Sequence, residues 1–243
     1  MTDTRAPDCD LTLVVPVCDE RDNLATLHAE IVAALPAGGP GFEILFVDDG
    51  STDGSAAEIR RLRAADPRVR LLSLARHSGQ SAALDAGFRH ARGRIVVTLD
   101  ADLQNDPADI PRLLEALEGW DAVVGTRVRR HDTFVRRVSS RIANSIRNRL
   151  SDETIADTGC SLKAFRRAAL DRVVLFEGMH RFLPTLLRME GCRVREIPVA
   201  HRPRIRGSSK YRITDRLLPA FADLLAVRWM KRRRLRYEVK DDG

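Results

Sequence analysis

Long apolar runs are missing from this chain of 243 residues. None approaches the roughly 20 consecutive apolar residues that a membrane-spanning helix needs. The first ten residues, MTDTRAPDCD, carry acids where a secretory signal peptide carries bases and then an apolar core. We therefore expect neither a membrane-spanning segment nor a signal peptide.

Cysteine pairs and two common binding motifs are also missing. The four cysteines form no CxxC pair, which argues against a zinc knuckle or a disulfide framework and favours reduced, cytosolic thiols. No GxGxxG follows the first predicted strand, which argues against a dinucleotide site of the usual kind. Aromatic residues make up only 5% and are not interleaved with the basic segments, so we expect no nucleic-acid partner despite a pI near 9.8.

Charge is plentiful but uneven. The chain has a net charge of +7, and residues 193–240 hold 15 Lys and Arg against 4 Asp and Glu. A second basic block, residues 126–149, holds 8 Arg and one Asp. A mildly acidic body with two basic segments predicts an anionic partner.

Apolar runs alternate with helical patterns through the first half of the chain. Strands are predicted at 11–17, 43–47, 69–74, 95–99, 120–125 and 193–199, and helices at 23–35, 55–65 and 134–150. Further helices are predicted near Pro107 and over a segment carrying Lys163, Phe165 and Arg166. This order predicts an α/β fold with a doubly wound, mostly parallel sheet and flanking helices.

The fourth strand, in the segment RIVVTLDADLQND, ends at two carboxylates, Asp100 and Asp102. Ligands of such folds bind outside the carboxyl ends of the strands. Two neighbouring carboxylates favour a divalent cation, and the oxygen of Gln104 is close in sequence. The alternative is that these Asp residues merely cap the helix near Pro107.

Acidic residues also follow the first two strands, at Glu20 and at Asp48 and Asp49. Carboxylates suit the hydroxyls of a ribose and the N–H groups of a base better than they suit phosphate. A metal at the fourth strand would then neutralise a diphosphate. Together the three strand ends fit a nucleotide-diphosphate donor.

Cationic segments downstream supply candidate phosphate sites. Arg136 and Ser140 share a face of the 134–150 helix, although a solvated basic face would have the same pattern. Arg204 and Lys210 lie in the loop HRPRIRGSSKY, which we interpret as a lid over phosphates. Asp157 either positions its own loop or serves as a base.

The C-terminal segment predicts a helix over 214–230 with an apolar stripe that includes Trp229, followed by the basic run 231–236. The stripe fits either a core helix or an interfacial helix, and the basic run favours an anionic membrane surface. We expect residues 1–213 to form a catalytic domain and 214–243 an amphipathic helix with a basic tail. The expected location is the cytoplasm, at the inner face of the membrane.

Eight motifs in order now carry a family resemblance: VPVCDE, VDDGSTDG, RHSGQSAALDAG, LDADLQ, GTR, RRVSSRIAN, DTGCSLKAF and HRPRIRGSSKY. Over roughly residues 10–215 the chain resembles the GT-A inverting glycosyltransferases of family 2. Within that family it resembles the dolichyl-phosphate-mannose synthase and bacterial polyprenyl-phosphate branch. The resemblance implies a metal-dependent hexosyltransferase with a GT-A (Rossmann-like) fold, a DXD motif and a GDP- or UDP-sugar donor.

The resemblance also implies roles for individual residues. It implies nucleotide contacts by Pro16, Glu20, Asp48, Asp100 and Ala101. It implies that Asp102 and Gln104 hold Mg²⁺ or Mn²⁺. It implies that the donor diphosphate and the phosphate of the acceptor are bound by Arg127, Arg136, Ser140, Arg204 and Lys210. Together with Asp100 and Asp102, these residues form the expected catalytic set.

The predicted reaction transfers the sugar to a polyprenyl phosphate with inversion. A phosphate monoester has its second pKa near ~6, so this acceptor needs no strong general base. A saccharide or protein hydroxyl acceptor would need a carboxylate base, for which Asp157 is the candidate. A phosphatase using Asp100 as nucleophile fits poorly, because such folds place that aspartate after the first strand.

Overall fold

A computed structural model describes residues 9–35, 41–127, 155, 157–203 and 214–235, the last range with side chains only from residue 222. Seven strands in these ranges form one sheet in the order β3-β2-β1-β4-β6-β5-β7. Their bounds are β1 Leu11–Val17, β2 Phe42–Asp48, β3 Val69–Ser73, β4 Ile95–Thr98, β5 Ala122–Arg127, β6 Lys163–Arg166 and β7 Val194–Val199. All neighbours pair in parallel except β6, which is antiparallel to both β4 and β5. The predicted mostly parallel sheet is confirmed.

Helices connect the strands as predicted over the first half of the chain. Their bounds are α1 Arg21–Ala34, α2 Ser55–Ala65, α3 Gln80–His90, α4 Ile110–Ala116, α5 Arg167–Leu170 and α6 Leu183–Met189. Short 3-10 turns precede α4 at Pro107–Asp109 and α6 at Met179–Phe182. Two apolar clusters form the core, one containing Leu13 and Val97 and the other containing Val14 and Val96. Because neighbouring residues of one strand point to opposite faces, both faces of the sheet are covered.

Close packing of α3 depends on Gly87. A Cβ at that position would lie 2.3 Å from Cγ1 of Val14 in β1. The missing side chain therefore lets α3 approach the central strands, which places the start of α3 near the end of β4.

The segment Lys163–Arg166 corrects one prediction: it is strand β6 rather than part of a helix. Ala164 packs in the first cluster and Phe165 in the second, so the strand is buried on both faces. A short segment without alternation gives no period by which strand and helix can be distinguished. Its place between β4 and β5 gives its backbone partners on both sides, and only the tertiary structure reveals that.

The chain divides into two compact units, Met1–His131 with Ile155–Ser209, and Asp132–Thr154 with Lys210–Gly243. The sheet belongs to the first unit. In the second, α7 spans Thr214–Arg233, where the pattern predicts a helix. Leu224 and Val227 are buried, whereas Leu225 and Trp229 are 45% and 64% exposed, so the predicted stripe is only partly covered. Among the described helices none is long and apolar enough to cross a membrane.

Candidate active site

The end of β4 delivers Asp100, Ala101 and Asp102 into a turn at the carboxyl edge of the sheet. The strand stops at Thr98, and Leu103 adopts a left-handed φ of 60°, which reverses the chain before Gln104. Asp106 caps the following 3-10 turn by accepting a 3.0 Å hydrogen bond from the Ala108 N–H. The alternative that Asp100 and Asp102 cap that helix start is therefore wrong: Asp106 is the cap, whereas Asp100 accepts a hydrogen bond from the Gln80 amide and Asp102 from the Gln104 N–H. Below we call residues 100–104 the DXD turn.

Asp100 is held from the side of α3. The side-chain amide of Gln80, the first residue of α3, donates a 2.8 Å hydrogen bond to Asp100 Oδ1. Burial and the neighbouring charge of Asp102 raise the pKa of Asp100, while Ser161, Lys163 and Arg127 oppose that rise. Burial and the charge of Asp102 therefore disfavour the ionised form of Asp100, and a cation bound nearby would offset both effects.

Asp102 and Gln104 face each other across the DXD turn. Asp102 is 9% exposed, and its Oδ1 accepts a 3.2 Å hydrogen bond from the Gln104 backbone N–H. The Gln104 carbonyl in turn accepts a 2.8 Å hydrogen bond from the Arg202 N–H, and Asn105 forms a β-bridge with His201. Residues 201–203, which follow β7, are thereby fixed beside the DXD turn, and Arg204 and Lys210 come after them in the sequence.

Arg127, the last residue of β5, forms a clamp with Asp157. Its Nε and Nη2 donate to the two carboxylate oxygens at 2.6 and 2.8 Å. The Gly159 N–H adds a 3.1 Å hydrogen bond to Asp157 Oδ1. Asp157 is buried and Arg127 half-buried, so this bidentate pair fixes the guanidinium near Asp100, whose charge it influences.

The ends of β1 and β2 are tied to each other. Asp19, at a left-handed φ of 52°, accepts a 2.7 Å hydrogen bond from the Thr52 N–H. The Ser51 hydroxyl accepts a 3.0 Å hydrogen bond from the Asp19 N–H. Asp48 is buried, and its carboxylate accepts a 3.1 Å hydrogen bond from the Ser51 N–H. Much of the polar DGSTDG motif therefore serves to shape this edge of the sheet.

Two predicted nucleotide contacts, Pro16 in β1 and Glu20 after it, lie at the same edge of the sheet. Glu20 precedes α1, and its carboxylate accepts a 2.6 Å hydrogen bond from the Asn23 side-chain amide. Pro16 pairs with Val47 in β2, and the pairing of β1 with β4 has already ended at Val14. The backbone N–H and C=O groups of alternate residues in β1 are directed toward β4, and Pro16 is one of these residues. Because its pairing partner β4 has already ended, the N–H that proline lacks is not needed there.

Asp49 has a structural task that the sequence pattern did not reveal. Its buried carboxylate accepts 2.6 and 2.8 Å hydrogen bonds from the backbone N–H groups of Ser78 and Gly79, and His77 Nδ1 lies 2.9 Å away. Gly50 is required here, because a Cβ would lie 2.6 Å from the His77 nitrogen. The loop that precedes Gln80 is thereby fixed, and through Gln80 the end of β2 is linked to Asp100.

The structure brings several predicted residues together at the ends of β4 and β5, and four predicted residues lie outside its described part. Asp102 accepts a hydrogen bond from Gln104, the charges of Asp102 and Arg127 both act on Asp100, and Ala101 is buried in the turn. The predicted phosphate residues outside the described residues are Arg136, Ser140, Arg204 and Lys210. Residues that the pattern missed are Gln80, Lys163 and Arg202. Within the described ranges no group of three or more His, Cys, Asp and Glu is placed to hold a metal by itself.

A mostly parallel α/β sheet with carboxylates, an amide and a clamped arginine at its carboxyl edge defines an open α/β domain with a ligand site at that edge. The family model "Glycosyl transferase family 2" matches residues 12–174. The chain belongs to glycosyltransferase family 2, and the predicted membership is confirmed.

Two relatives are undecaprenyl-phosphate 4-deoxy-4-formamido-L-arabinose transferases. The one from Edwardsiella ictaluri is 41% identical over 204 residues, which is 83% of this chain and 62% of the relative. The one from Salmonella enteritidis is 39% identical over 222 residues, 90% of this chain and 68% of the relative. This chain thus spans about two thirds of the length of these relatives.

Solved structures share the fold. A mannosyltransferase from Pyrobaculum calidifontis, solved with GDP-Man and Mn²⁺, superposes with a TM-score of 0.65 at 24% identity, covering 95% of this chain and 66% of the other. Glucosyl-3-phosphoglycerate synthase from Mycobacterium tuberculosis, solved with Mn²⁺, UDP and phosphoglyceric acid, gives a TM-score of 0.68 at 20% identity, covering 94% and 80%. The predicted GT-A fold is confirmed by this likeness.

Proposed function

We propose that this chain transfers a sugar, with inversion, from a nucleotide-diphosphate sugar to a polyprenyl phosphate. Membership of glycosyltransferase family 2 supports the sugar transfer. The names of the relatives, which specify undecaprenyl phosphate, support the acceptor. A GDP- or UDP-sugar is the donor class that suits the nucleotides in the structural neighbours.

The clamp between Arg127 and Asp157 is the observation that favours a phosphate acceptor. A hydroxyl acceptor needs a free carboxylate as general base, and Asp157 is the candidate. Both of its oxygens accept hydrogen bonds from the Arg127 guanidinium, at 2.6 and 2.8 Å. A carboxylate bound in this way is a weak base, whereas the guanidinium it orients is suited to an anionic substrate. A phosphate acceptor, already ionised near neutral pH, requires only positioning.

The residues of the DXD turn fit Mg²⁺ or Mn²⁺. Asp102 and Gln104 would hold the ion, with Asp100 beside the nucleotide. Two protein oxygen donors suffice, because Mg²⁺ is usually bound by one or two carboxylates together with substrate phosphates and waters. The absence of a larger acidic cluster in the described ranges agrees with such a shared site. The metal, when bound, stabilises the negative charge of the departing nucleotide diphosphate.

The remaining proposed roles divide between the two substrates. The proposed nucleoside contacts are Pro16, Glu20, Asp48 and Ala101, which belong to or follow the ends of β1, β2 and β4. Arg127 binds and aligns phosphate beside the DXD turn. Of the predicted residues outside the described ranges, Arg136 and Ser140 are proposed for the acceptor, with Arg204 and Lys210 closing over the phosphates. The bridge between Asn105 and His201 supports the last assignment, since His201 closely precedes Arg204 in the sequence.

A donor screen tests the proposal. Nucleotide release from GDP- and UDP-sugars is measured with and without a short polyprenyl phosphate, in Mn²⁺ or Mg²⁺. We expect release that depends on both the acceptor and the metal. Release that instead depends on a saccharide or peptide acceptor would establish the hydroxyl-acceptor alternative.

Asp102→Ala is the matching variant. It removes one of two proposed protein ligands to the metal, so we expect transfer to fall below detection, as it should for the unaltered chain in excess chelator. Asp85→Asn, at an exposed ion pair with Arg89 on α3, is the control and should keep full activity. Full activity of the unaltered chain in excess chelator would contradict the metal role.

Membrane-surface association is part of the proposal, because the acceptor is a lipid. Trp229 is 64% exposed on α7, next to the basic run 231–236. Each basic residue near an anionic surface contributes about 1 kcal/mol, so the run supports reversible binding together with the exposed Trp. We expect truncation of residues 228–243 to abolish sedimentation with anionic liposomes while the remaining chain stays folded. Unchanged sedimentation would refute this part.

A further inference from the structure

Lys163 is a buried cation at the centre of the candidate active site that has no role in the reaction proposed above. It is 6% exposed and is the first residue of β6, opposite Thr98 of β4 and Val124 of β5. Because β6 runs antiparallel to its neighbours, it begins at the edge where they end. Two residues after Thr98 comes Asp100, and three after Val124 comes Arg127, so Lys163 stands between the two.

The charges around Lys163 single out Asp100 as its counter-charge. Burial lowers the pKa of Lys163 and Arg127 adds to that fall, whereas Cys160, Asp100 and Asp157 act against it. Asp157 is already clamped by Arg127. The hydrogen bond to Asp100 comes from the neutral amide of Gln80. A buried ammonium is costly without a nearby anion, and of the two carboxylates that act on Lys163, Asp100 is the one that Arg127 does not clamp and that follows the residue opposite Lys163 by two positions.

We propose that Lys163 is a positioning residue that acts through Asp100 and sets the charge balance of the DXD turn. With its ammonium in place, the turn resists a divalent metal in the absence of nucleotide and accepts the metal together with an anionic diphosphate. This ordering rests on the proposed function, since it presumes a metal-dependent nucleotide donor. It predicts opposite changes in two affinities when the cation is removed.

The test compares Lys163→Met with the unaltered chain. Binding of Mn²⁺ alone is measured by electron paramagnetic resonance, and binding of GDP and of UDP at saturating Mn²⁺ by calorimetry. An interaction at an effective dielectric constant of about 20 is worth on the order of 1 kcal/mol beyond direct contact, or about fivefold in affinity. We expect Mn²⁺ alone to bind about fivefold tighter and the nucleotide about fivefold weaker.

Two variants separate this role from a packing role. Lys163→Arg keeps the charge and should leave both affinities within about twofold of the unaltered chain. Arg60→Met removes one positive charge from the exposed surface of α2 and should change neither affinity. If Lys163→Met fails to fold, Lys163→Gln keeps a polar group at the buried position and serves the same comparison.

The outcomes distinguish this inference from the proposed function. Affinities that both fall, or both stay unchanged, in Lys163→Met while Asp102→Ala loses Mn²⁺ overturn the role of Lys163 alone. An unaltered chain that binds no Mn²⁺, or binds it equally well as Asp102→Ala, overturns the metal site and the role of Lys163 with it. Opposite shifts restored by Lys163→Arg support the proposal.

Discussion

The clamp between Arg127 and Asp157 makes a quantitative prediction through a double-mutant cycle. The two charge-assisted hydrogen bonds are 2.6 and 2.8 Å long, and the side chains are 19% and 9% exposed. Hydrogen bonds to charged groups contribute about 1.5–3 kcal/mol each, and partial exposure of the arginine reduces their sum. We expect Asp157→Asn and Arg127→Met each to lower the free energy of unfolding by about 2–4 kcal/mol, with a coupling energy of about 2 kcal/mol.

The assay is urea unfolding followed by tryptophan fluorescence, with Trp120, just before β5 and at the opposite end of that strand from Arg127, as a reporter of global unfolding. The exposed pair of Asp85 and Arg89, 66% exposed at the arginine, is the matched control and should give a coupling of about 0.3–0.5 kcal/mol. A coupling below about 0.5 kcal/mol at the clamp would refute the reasoning.

The same cycle read in transfer activity distinguishes a clamp from a base. If Asp157 acts by orienting Arg127, Asp157→Asn should cost no further activity once Arg127 is replaced by Met. If Asp157 removes a proton from the acceptor, its loss should be the larger one and should add to that of Arg127→Met. Additive losses would therefore revive the hydroxyl-acceptor alternative.

Two further predictions concern stability. Arg68, with burial acting against it and with help from His28, holds the pKa of Asp66 far below its ordinary value of 3.8. Such a group stabilises the fold above its unfolded pKa and loses that effect as pH falls toward its folded pKa. Asp66→Asn should thus lower the free energy of unfolding by about 1–2 kcal/mol at pH 7, less than for a fully buried pair because Arg68 is partly exposed. The difference in stability between the variant and the unaltered chain should narrow below pH ~4. Equal differences in urea unfolding at pH 7 and pH 3 would contradict this. Gly87→Ala should lower the free energy of unfolding by about 1–3 kcal/mol despite its helical site, because its Cβ would lie 2.3 Å from Cγ1 of Val14. Adding Val14→Ala should recover part of that loss. Thermal unfolding of the single and double variants measures both effects, and an unchanged midpoint for Gly87→Ala would show that the helix shifts at no cost.

The amino-acid sequence by itself determined the alternation of strands and helices and the place of the acidic residues. A parallel strand buried on both faces is a short apolar run, and its carboxyl end must lie at the ligand edge, so Glu20, Asp48, Asp100 and Asp102 followed from local pattern. The ordered motifs identified the family. All of these features are local in the chain or ordered along it, which is why they could be predicted.

Only the tertiary structure decided which polar residues are already engaged in structural hydrogen bonds. Asp49 and Asp157 look like ligands in the sequence, yet one holds the loop of Ser78 and Gly79 and the other clamps Arg127. Their partners lie about 30 residues away, at separations that no periodic pattern reports. Likewise Lys163 lies beneath the site because β6 enters the sheet between β4 and β5 in the reverse direction. Burial on both faces removes the alternation that would have marked it as a strand, so its position depends on pairing across the sheet rather than on sequence pattern.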